Sequence, residues 1–587
     1  MLTYSFSNKG ELSLYEYLYR CIRADIEAGA IAPGEKLPSK RSFARHLGVS
    51  LITVEAAYSQ LIAEGYLRAE PRRGYFACDL SPSGVVPGRK PSFFGVGSSS
   101  PETAHPADGN LLPEEGLAQA YASLAAAGRP RGGRIDAGGQ SSTSANPSGE
   151  NSFNGEAVFA DFTGSSVPLG MFPYAAWAKS LRDALTRESE RMLVGETGFA
   201  GAFRLRKAIA DHLRGFRGME VDPDCIVVGA GSQVLYNWLV QLLGRNLHYG
   251  VEDPGYLRLS RIYEANNVEL SHIPLDENGI DMASVAESGT DVLHLMPSHQ
   301  FPTGIVTSIG RRYELLGWAS AKGNRYLVED DYDCEFRLTG RPIPSLQSID
   351  ATGKVIYANT FTKSLGPAFR IGYLVLPPAL ADRFRRELGF YSCTVSAIDQ
   401  LALARFIESG DYERHVNRLR THYRSVRDAL VSAFQTSSFS ERVSIEEQDA
   451  GIHFIMGIST DIKTPEVRNS ALQGHAMRYR FDDVAAENAN DCHQPAGPRF
   501  PAKPATAPPH PAGPAAESRW EREFVDAAQG RGVRIVPLSL FYSKSAAAER
   551  GPVRRFLVSY GGIELDSVEP AVAALEYAVR VADEATR

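Results

Sequence analysis

Cysteine is scarce: six in 587 residues, at Cys21, Cys78, Cys225, Cys334, Cys393 and Cys492, and no two stand in a C-x-x-C pair. That scatter offers neither a disulfide framework nor the thiolate spacing of a zinc site, so no metal is expected, and a reducing cytoplasm suits it. Long apolar runs are missing too; none reaches the ~20 residues that span a bilayer. The opening residues, MLTYSFSNKG, lack the basic-then-apolar order of a secretion signal. These absences predict a soluble intracellular protein with no membrane partner. Positive charge is in deficit as well, with 62 Lys and Arg against 69 Asp and Glu and a formal net charge of −7. Such a balance excludes a chain coated throughout in nucleic acid. Residues 1–77 nevertheless carry 10 Lys and Arg against 8 Asp and Glu, hence +2, which leaves −9 for the rest. Any basic face is N-terminal and modest. No internal repeat is visible.

What is present is apolar pattern: 43% of residues are hydrophobic, and the length calls for three or four units. Leu14, Leu18, Ile22 and Ile26 recur at four-residue spacing, the stripe of an amphipathic helix, and Gly29 follows as its stop. Pro33-Gly34 turns the chain toward Leu37-Pro38-Ser39, where Ser39 caps a short helix through about Leu47 and Gly48 ends it. Ser50 caps a third helix whose stripe is Val54, Ala57, Tyr58, Leu61 and Ile62, ending at Gly65. Tyr66-Leu67-Arg68 and Gly74-Tyr75-Phe76 then flank Glu70-Pro71-Arg72-Arg73 as a hairpin. Three helices and a hairpin predict an α+β winged helix-turn-helix over residues 1–78.

Residues 79–156 thin out into Ser, Gly, Pro and Ala, as in GVGSSSPETAHPADGN. Too little apolar surface is available there to offset chain entropy, which predicts a flexible linker. As a coil it would span roughly 50 Å. From Ala157 onward, the short apolar runs Cys225-Ile226-Val227-Val228, Val292-Leu293-His294-Leu295, Tyr326-Leu327-Val328 and Val355-Ile356-Tyr357 alternate with helical stretches. That alternation predicts an α/β unit over 157–587 with a mostly parallel sheet under helices. A second sparse stretch, 488–517, containing HQPAGPRFPAKPATAPPHPAGPA, is expected to be a disordered insertion.

At the N-terminal end, Lys36-Leu37-Pro38-Ser39-Lys40-Arg41, Ala44, Leu47-Gly48-Val49-Ser50, Thr53-Val54, Tyr58, Leu61, Glu64-Gly65-Tyr66-Leu67 and Arg73-Gly74 resemble the GntR superfamily of bacterial regulators. The resemblance runs the length of the domain. It implies contacts to double-stranded operator DNA from Ser39, Arg41, the recognition-helix residues Ser50, Ile52 and Thr53, and the wing residues Arg72, Arg73 and Gly74. Elementary chemistry agrees, since helix N-termini and hydroxyls suit phosphates while arginines suit guanine edges or a narrow minor groove. Leu51 stands where many members carry an arginine, which removes one base-reading side chain.

Further on, Tyr326-Leu327-Val328 runs directly into Glu329-Asp330-Asp331-Tyr332-Asp333, placing acids at the end of a strand where parallel sheets bind ligands. Carboxylates that close repel one another unless a cation sits among them, and a protonated pyridine ring would serve. Lys363 is an amine able to form a Schiff base, Thr360 and Thr362 offer hydroxyls to a phosphate, and Arg370 follows as a bidentate phosphate partner. Gly229-Ala230-Gly231-Ser232-Gln233 makes a glycine-rich strand-to-helix turn whose N–H groups face an anion. An aldehyde trap, a phosphate cradle and a ring-nitrogen acid together describe pyridoxal 5'-phosphate.

With Glu252-Asp253-Pro254-Gly255-Tyr256, the string Pro297 to Gly304 and Phe361-Thr362-Lys363-Ser364-Leu365 added, residues 157–587 apart from the insertion resemble a class I, fold type I aminotransferase. The whole chain resembles the MocR/GabR group, in which a GntR-type domain is fused to that fold. The resemblance implies a large domain plus a small C-terminal α/β domain. It also implies Lys363 as the internal aldimine, Asp330 on the pyridinium nitrogen, Tyr332 near the ring hydroxyl, and Tyr256 stacked on the ring. Gly231, Ser232, Gln233, Thr360, Thr362 and Arg370 would surround the phosphate. A domain-swapped homodimer would present two heads to paired half-sites.

Three positions depart from the aminotransferase pattern. Leu557 stands where an arginine grips the substrate carboxylate, with Arg554 and Arg555 nearby on a different register. Val194-Gly195-Glu196-Thr197-Gly198 lacks the tyrosine expected to contact the phosphate, and Phe301 replaces the usual asparagine. The expectation is therefore a transcription regulator that senses an amino compound effector, or the cofactor itself, at Lys363. The alternative is an active aminotransferase with an accessory DNA-binding domain, which an amine without a carboxylate would suit. A cofactor-free dimerisation scaffold conflicts with the intact lysine set, and fold alone does not choose among these.

Overall fold

The computed structural model describes residues 4, 6, 12–70, 73–80, 158–164, 167–338, 344–447, 451–460, 518–543 and 553–586. Apart from Asp79 and Leu80, the expected linker lies outside them, as do the insertion and Arg72.

The N-terminal helices form where the apolar stripes predict them: α1 (Leu14–Glu27), α2 (Lys40–Leu47) and α3 (Leu51–Ala63). Ser39 and Ser50 act as N-caps, their hydroxyl oxygens accepting from the Ser42 and Thr53 amides at 3.2 and 3.1 Å. Leu18, Ile22, Ile26, Phe43, Val54, Ala57, Tyr58 and Leu61 bury together as one core, whereas Leu14, at the helix end, stays outside it. The hairpin consists of β2 (Leu67–Glu70) and β3 (Gly74–Ala77). A third strand, β1 (Lys36–Leu37), pairs with the outer edge of β3. Two residues before a proline carry no periodic signal, so the sequence pattern did not announce it.

The α/β portion is built on an eight-stranded sheet. In chain order its strands are β4 (Ile226–Gly229), β5 (His248–Asp253), β6 (Glu269–Asp276), β7 (Gly279–Ile280), β8 (Val292–Leu295), β9 (Tyr326–Asp330), β10 (Val355–Thr360) and β11 (Gly372–Val375), arranged β4-β11-β10-β9-β8-β5-β6-β7. The five strands from β10 to β6 are parallel. β11 runs antiparallel between β10 and β4, and the two-residue β7 runs antiparallel to β6 at the other edge, so the mostly parallel sheet expected from the alternation is present with a reversal towards each edge. Near-continuous apolar runs form these strands because helices cover both faces. Leu235 and Leu239 of α5 (Ser232–Leu243) pack on Val227, Val328 and Ile356, while Ile226, Val228 and Tyr357 point to the other side, toward α4 (Phe203–Arg217). β9 outruns the three apolar residues that signalled it, carrying Glu329 and Asp330 into the sheet.

After α6 (Ile309–Ser320) and the long α7 (Asp411–Thr436) comes a smaller antiparallel sheet. Its strands are β12 (Val443–Glu446), β13 (His453–Ser459), β14 (Val536–Pro537) and β15 (Val553–Ser559), in the order β12-β13-β15-β14, with α8 (Arg519–Gln529) and α9 (Val568–Thr586) packed on it. The winged helix and the α/β portion belong to one compact unit. Ile309, first residue of α6, is buried in the winged-helix core, and its amide donates to the Glu64 carbonyl at 3.1 Å. Gly65 is needed there twice over: its φ is +80°, and a Cβ would come within 3.1 Å of the Ser308 Cβ.

Candidate cofactor and DNA-binding sites

Lys363 sits in a single helical turn, Thr362–Leu365, directly after β10. α7 fixes that turn from behind: the Tyr412 hydroxyl donates to Ser364 Oγ at 3.1 Å, and His415 Nε2 lies 2.7 Å from the Ser364 carbonyl oxygen. The Lys363 side chain is partly buried, its Nζ 5.6 Å from the centroid of the Tyr332 ring. Desolvation pushes its ammonium down from the ordinary lysine range to about 8, with the charges of Asp333 and Asp330 opposing the shift.

Strand alternation sends Glu329 and Asp331 to one side and Asp330 to the other. Glu329 accepts from the amides of Leu346 and Gln347 at 2.8 and 3.0 Å, with the fully buried Arg312 guanidinium 4.0 Å away. Asp331 pairs with the buried Arg217 at 2.6 Å and accepts from the Tyr357 hydroxyl. Asp330 meets a different set: Tyr236 Oη donates to Oδ2 at 2.5 Å, and His294 Nε2 lies 3.6 Å from the same oxygen. Burial and the Asp330 charge raise the Tyr236 phenol well above its usual range, so it stays a donor. The cations expected for the acid cluster are supplied to Glu329 and Asp331 by Arg312 and Arg217, while Asp330 is held by Tyr236 and His294. Arg217, Arg312, Tyr236 and His294 went unnoticed in the sequence because they arrive from distant elements with no local pattern.

Three strand ends line up beside this acid. Thr360 stands opposite Gly372, and Gly372 opposite Gly229, so the ends of β10 and β4 stand level with the start of β11. Gly231, at φ +84°, caps α5, which begins at Ser232. Arg370 adopts a left-handed backbone (φ 51°) and its Nη2 donates to the Ala230 carbonyl at 3.2 Å. The left-handed φ accounts for the glycine at 231, and a Cβ there would also meet the Arg370 guanidinium. Gly231, Ser232, Thr360, Thr362 and Arg370 therefore share one edge, where amides, hydroxyls and a guanidinium suit a phosphate. Gln233, next on α5, is exposed.

Tyr256 lies at the N-terminus of the next helix, edge-on to Phe301 at 5.8 Å, and the exposed Arg258 guanidinium lies 6.0 Å from its ring centroid. Phe301 is the hub of an aromatic group with Tyr256, Tyr332, His453 and Phe541. Leu557 is buried with Ile455 and Leu538 against Phe301 and Phe541. The pairing of Ile455 with Leu557 and of Gly457 with Arg555 puts Arg555 two residues along on the same face, where its Nε lies 3.5 Å from Glu446. The different register expected for this arginine holds for Arg554 alone. These residues fit pyridoxal phosphate: a lysine of lowered pKa, an anchored carboxylate and an anion-suited edge stand together.

At the other end, Ser39, Arg41, Ser50 and Ile52 are exposed and Thr53 is half-buried. Ile52 is 76% exposed at the head of α3, an apolar side chain with no core to fill. At the wing, Arg73 pairs with Glu70 at 2.6 Å, and Gly74 opens β3 with φ +118°. The structure thus places Ser39 and Arg41 at the start of α2, Ser50, Ile52 and Thr53 at the start of α3, and Arg73 and Gly74 at the hairpin tip.

Together these define a winged helix-turn-helix joined to a fold type I domain shaped for pyridoxal phosphate. Residues 14–76 match the family described as "Bacterial regulatory proteins, gntR family", and residues 165–478 match "Aminotransferase class I and II". Among relatives, the uncharacterized HTH-type transcriptional regulator YdeL of Bacillus subtilis is 34% identical over 448 residues, covering 76% of this chain and 84% of that protein. The HTH-type pyridoxine biosynthesis transcriptional regulator PdxR of Corynebacterium glutamicum is 31% identical over 469 residues, covering 80% and 88%. The probable rhizopine catabolism regulatory protein MocR of Rhizobium meliloti is 28% identical over 474 residues, covering 80% and 86%. The chain belongs to the MocR/GabR-type HTH transcription regulators. For the fold, a multiple substrate aminotransferase from Thermococcus profundus superposes with a TM-score of 0.55 at 20% identity, covering 73% of this chain and 93% of that one. Among the described residues no helix is long and apolar enough to cross a membrane.

Proposed function

We propose that this protein is a cytoplasmic transcription regulator that binds pyridoxal 5'-phosphate and senses an amino compound, or the cofactor itself, through Lys363. In this reading residues 1–78 bind operator DNA, 79–156 link, and 157–587 sense, as a domain-swapped homodimer with two heads. The observation that carries it is Lys363, held at a lowered pKa beside an Asp330 whose Oδ2 is fixed by Tyr236. Bound there, the cofactor would supply an aldehyde able to exchange between amines. Lys363 offers an amine more easily deprotonated than an ordinary lysine, Asp330 a carboxylate to keep a ring nitrogen protonated, and Arg370 with the start of α5 a phosphate seat. Tyr332 would meet the ring hydroxyl and Tyr256 one face of the ring. Leu557 favours sensing over turnover, because the carboxylate grip of an aminotransferase is replaced by an apolar side chain. A second reading, a working aminotransferase, draws support from Arg258 beside Tyr256 and from Arg555 on the Leu557 face, either of which is a cation for a substrate carboxylate. The test is spectroscopic. Wild type loaded with pyridoxal phosphate should absorb in the visible and Lys363→Ala should not; a wild type that stays colourless overturns both readings. Rapid amino-group transfer to a keto acid would select the second.

A further inference from the structure

The sheet of the winged helix has two unlike faces. Strand alternation sends Leu37 of β1 and Tyr75 of β3 inward, where Leu37 is buried and Tyr75 meets Tyr58 edge-on at 4.9 Å. Their neighbours face solvent. Lys36 stands opposite Phe76, and Phe76 opposite Arg68, so β1, β3 and β2 carry a cation, an aromatic ring and a cation side by side. Lys36 and Arg68 are exposed and Phe76 is half-buried. Arg73 joins them from the hairpin tip. Lys36 Nζ and the guanidinium carbons of Arg68 and Arg73 lie 5.9, 5.8 and 5.7 Å from the centroid of the Phe76 ring. Gly74 leaves room for this row, since a Cβ there would come within 3.0 Å of Lys36 Cε.

The three cations outnumber the acids beside them. Glu70 lies 3.1 Å from Arg68 Nε and 2.6 Å from Arg73 Nη1. Glu35, next to Lys36, is turned to the Ala32 amide at 2.9 Å, and no carboxylate pairs with Lys36 among the described residues. Residues 1–77 hold 10 Lys and Arg against 8 Asp and Glu; without these three cations and Glu70 they hold 7 against 7, so the whole +2 of the head resides on this face. Attraction to a ring face holds a cation in place without consuming its N–H donors. Exposed cations with donors to spare suit phosphates, and a ring between two of them matches the apolar sugar between successive phosphates of a nucleic acid strand. The position fits the same partner: the face continues into the wing tip, and β1 leads through Pro38 to Ser39, the cap of α2.

We propose that Lys36 and Arg68, held either side of Phe76 on the outer face of the wing sheet, grip the phosphates of duplex DNA beside the base pairs read by the start of α3. This rests on the reading of residues 1–78 as a DNA-binding head and extends the contact from the hairpin tip to the face of the sheet. A phosphate grip is blind to sequence, so it adds affinity for any duplex.

The experiment is fluorescence anisotropy of the full chain on a labelled duplex of mixed sequence, titrated between about 50 and 200 mM NaCl. The double variant Lys36→Ala with Arg68→Ala is expected to bind more weakly and to lower the slope of log affinity against log salt by about 2, one for each phosphate given up. Lys36→Arg with Arg68→Lys, which keeps both charges, should restore the slope, and thermal unfolding reports that each variant folds. A slope in the alanine variant equal to that of wild type overturns the proposal. If that variant keeps the slope on DNA but loses binding to poly-L-glutamate, the face serves an acidic polypeptide and the assignment to DNA fails. Arg41→Ala on the same duplex separates this proposal from the reading beneath it. A slope lowered by Arg41→Ala and not by the double variant leaves the head a DNA binder and removes this face from the contact; wild type without salt-dependent binding removes both.

Discussion

Lys363 concentrates the chemistry in one nitrogen. Its ammonium titrates at about 8 in the folded protein against 10.5 for an unperturbed lysine. Between those values the unfolded chain holds more protons, so this group makes stability rise with pH across about 8 to 10.5; below 8 both states are charged and its contribution is flat. Cofactor capture needs the neutral amine, so the loading rate of cofactor-free protein should climb with pH to a midpoint near 8, followed by visible absorbance. A midpoint near 10.5 would show an amine that is not desolvated. Asp330 supports a second expectation. Tyr236→Phe removes the hydrogen bond that fixes Oδ2 and should weaken pyridoxal phosphate binding by roughly tenfold to a hundredfold, the range of a charge-assisted hydrogen bond, measured by absorbance titration. Lys363 and Asp330 were legible because each lies in a short string whose order is itself informative: a strand running into acids, and a lysine between hydroxyls. The residues that make them work were not. Tyr236 is one of seven buried residues along an apolar helix, and Arg217 closes a helix more than a hundred positions from Asp331. Only the fold brings them to the site.

Among the elements, α6 does the most unexpected thing. At one end Ile309 is buried in the winged-helix core, and one turn on Arg312 donates to the carbonyls of Thr307, Pro344 and Pro297 beside Glu329, the neighbour of Asp330 on β9. One rigid helix thus touches both the end of the recognition helix, through Glu64 and Gly65, and the strand that carries the ring-nitrogen acid. Ile309→Asp places an unpaired carboxylate in that core and should cost on the order of 3 kcal/mol of winged-helix stability. Hydrogen exchange should show α1 and α3 losing protection while the visible absorbance of the loaded protein is kept. Equal protection in both proteins would mean that the contact does not hold in solution. The elements themselves were mostly readable, because caps, stripes and apolar runs are local. β1 and β11 were not, since the two-residue β1 and the reversed β11 owe their places to neighbours rather than to periodicity.

The molecule as a whole joins a modestly basic head, +2 over residues 1–77, to a body of the opposite sign. Such a head depends on a few arginines. Arg41→Ala should lower operator affinity, reduce the salt dependence of binding by about one counterion and leave the visible spectrum unchanged; loss of both would contradict the division into head and sensor. Coupling between the two requires only that a bound amine favour one arrangement of the heads over another. The decisive measurement is operator affinity, taken on one DNA fragment with wild type and Lys363→Ala, each with and without pyridoxal phosphate and then with added amines. Wild-type affinity should change when cofactor or amine is added, without amino-group transfer to a keto acid, and Lys363→Ala should not respond. Identical affinities for wild type in every condition, or an equal response from Lys363→Ala, would contradict sensing through this lysine.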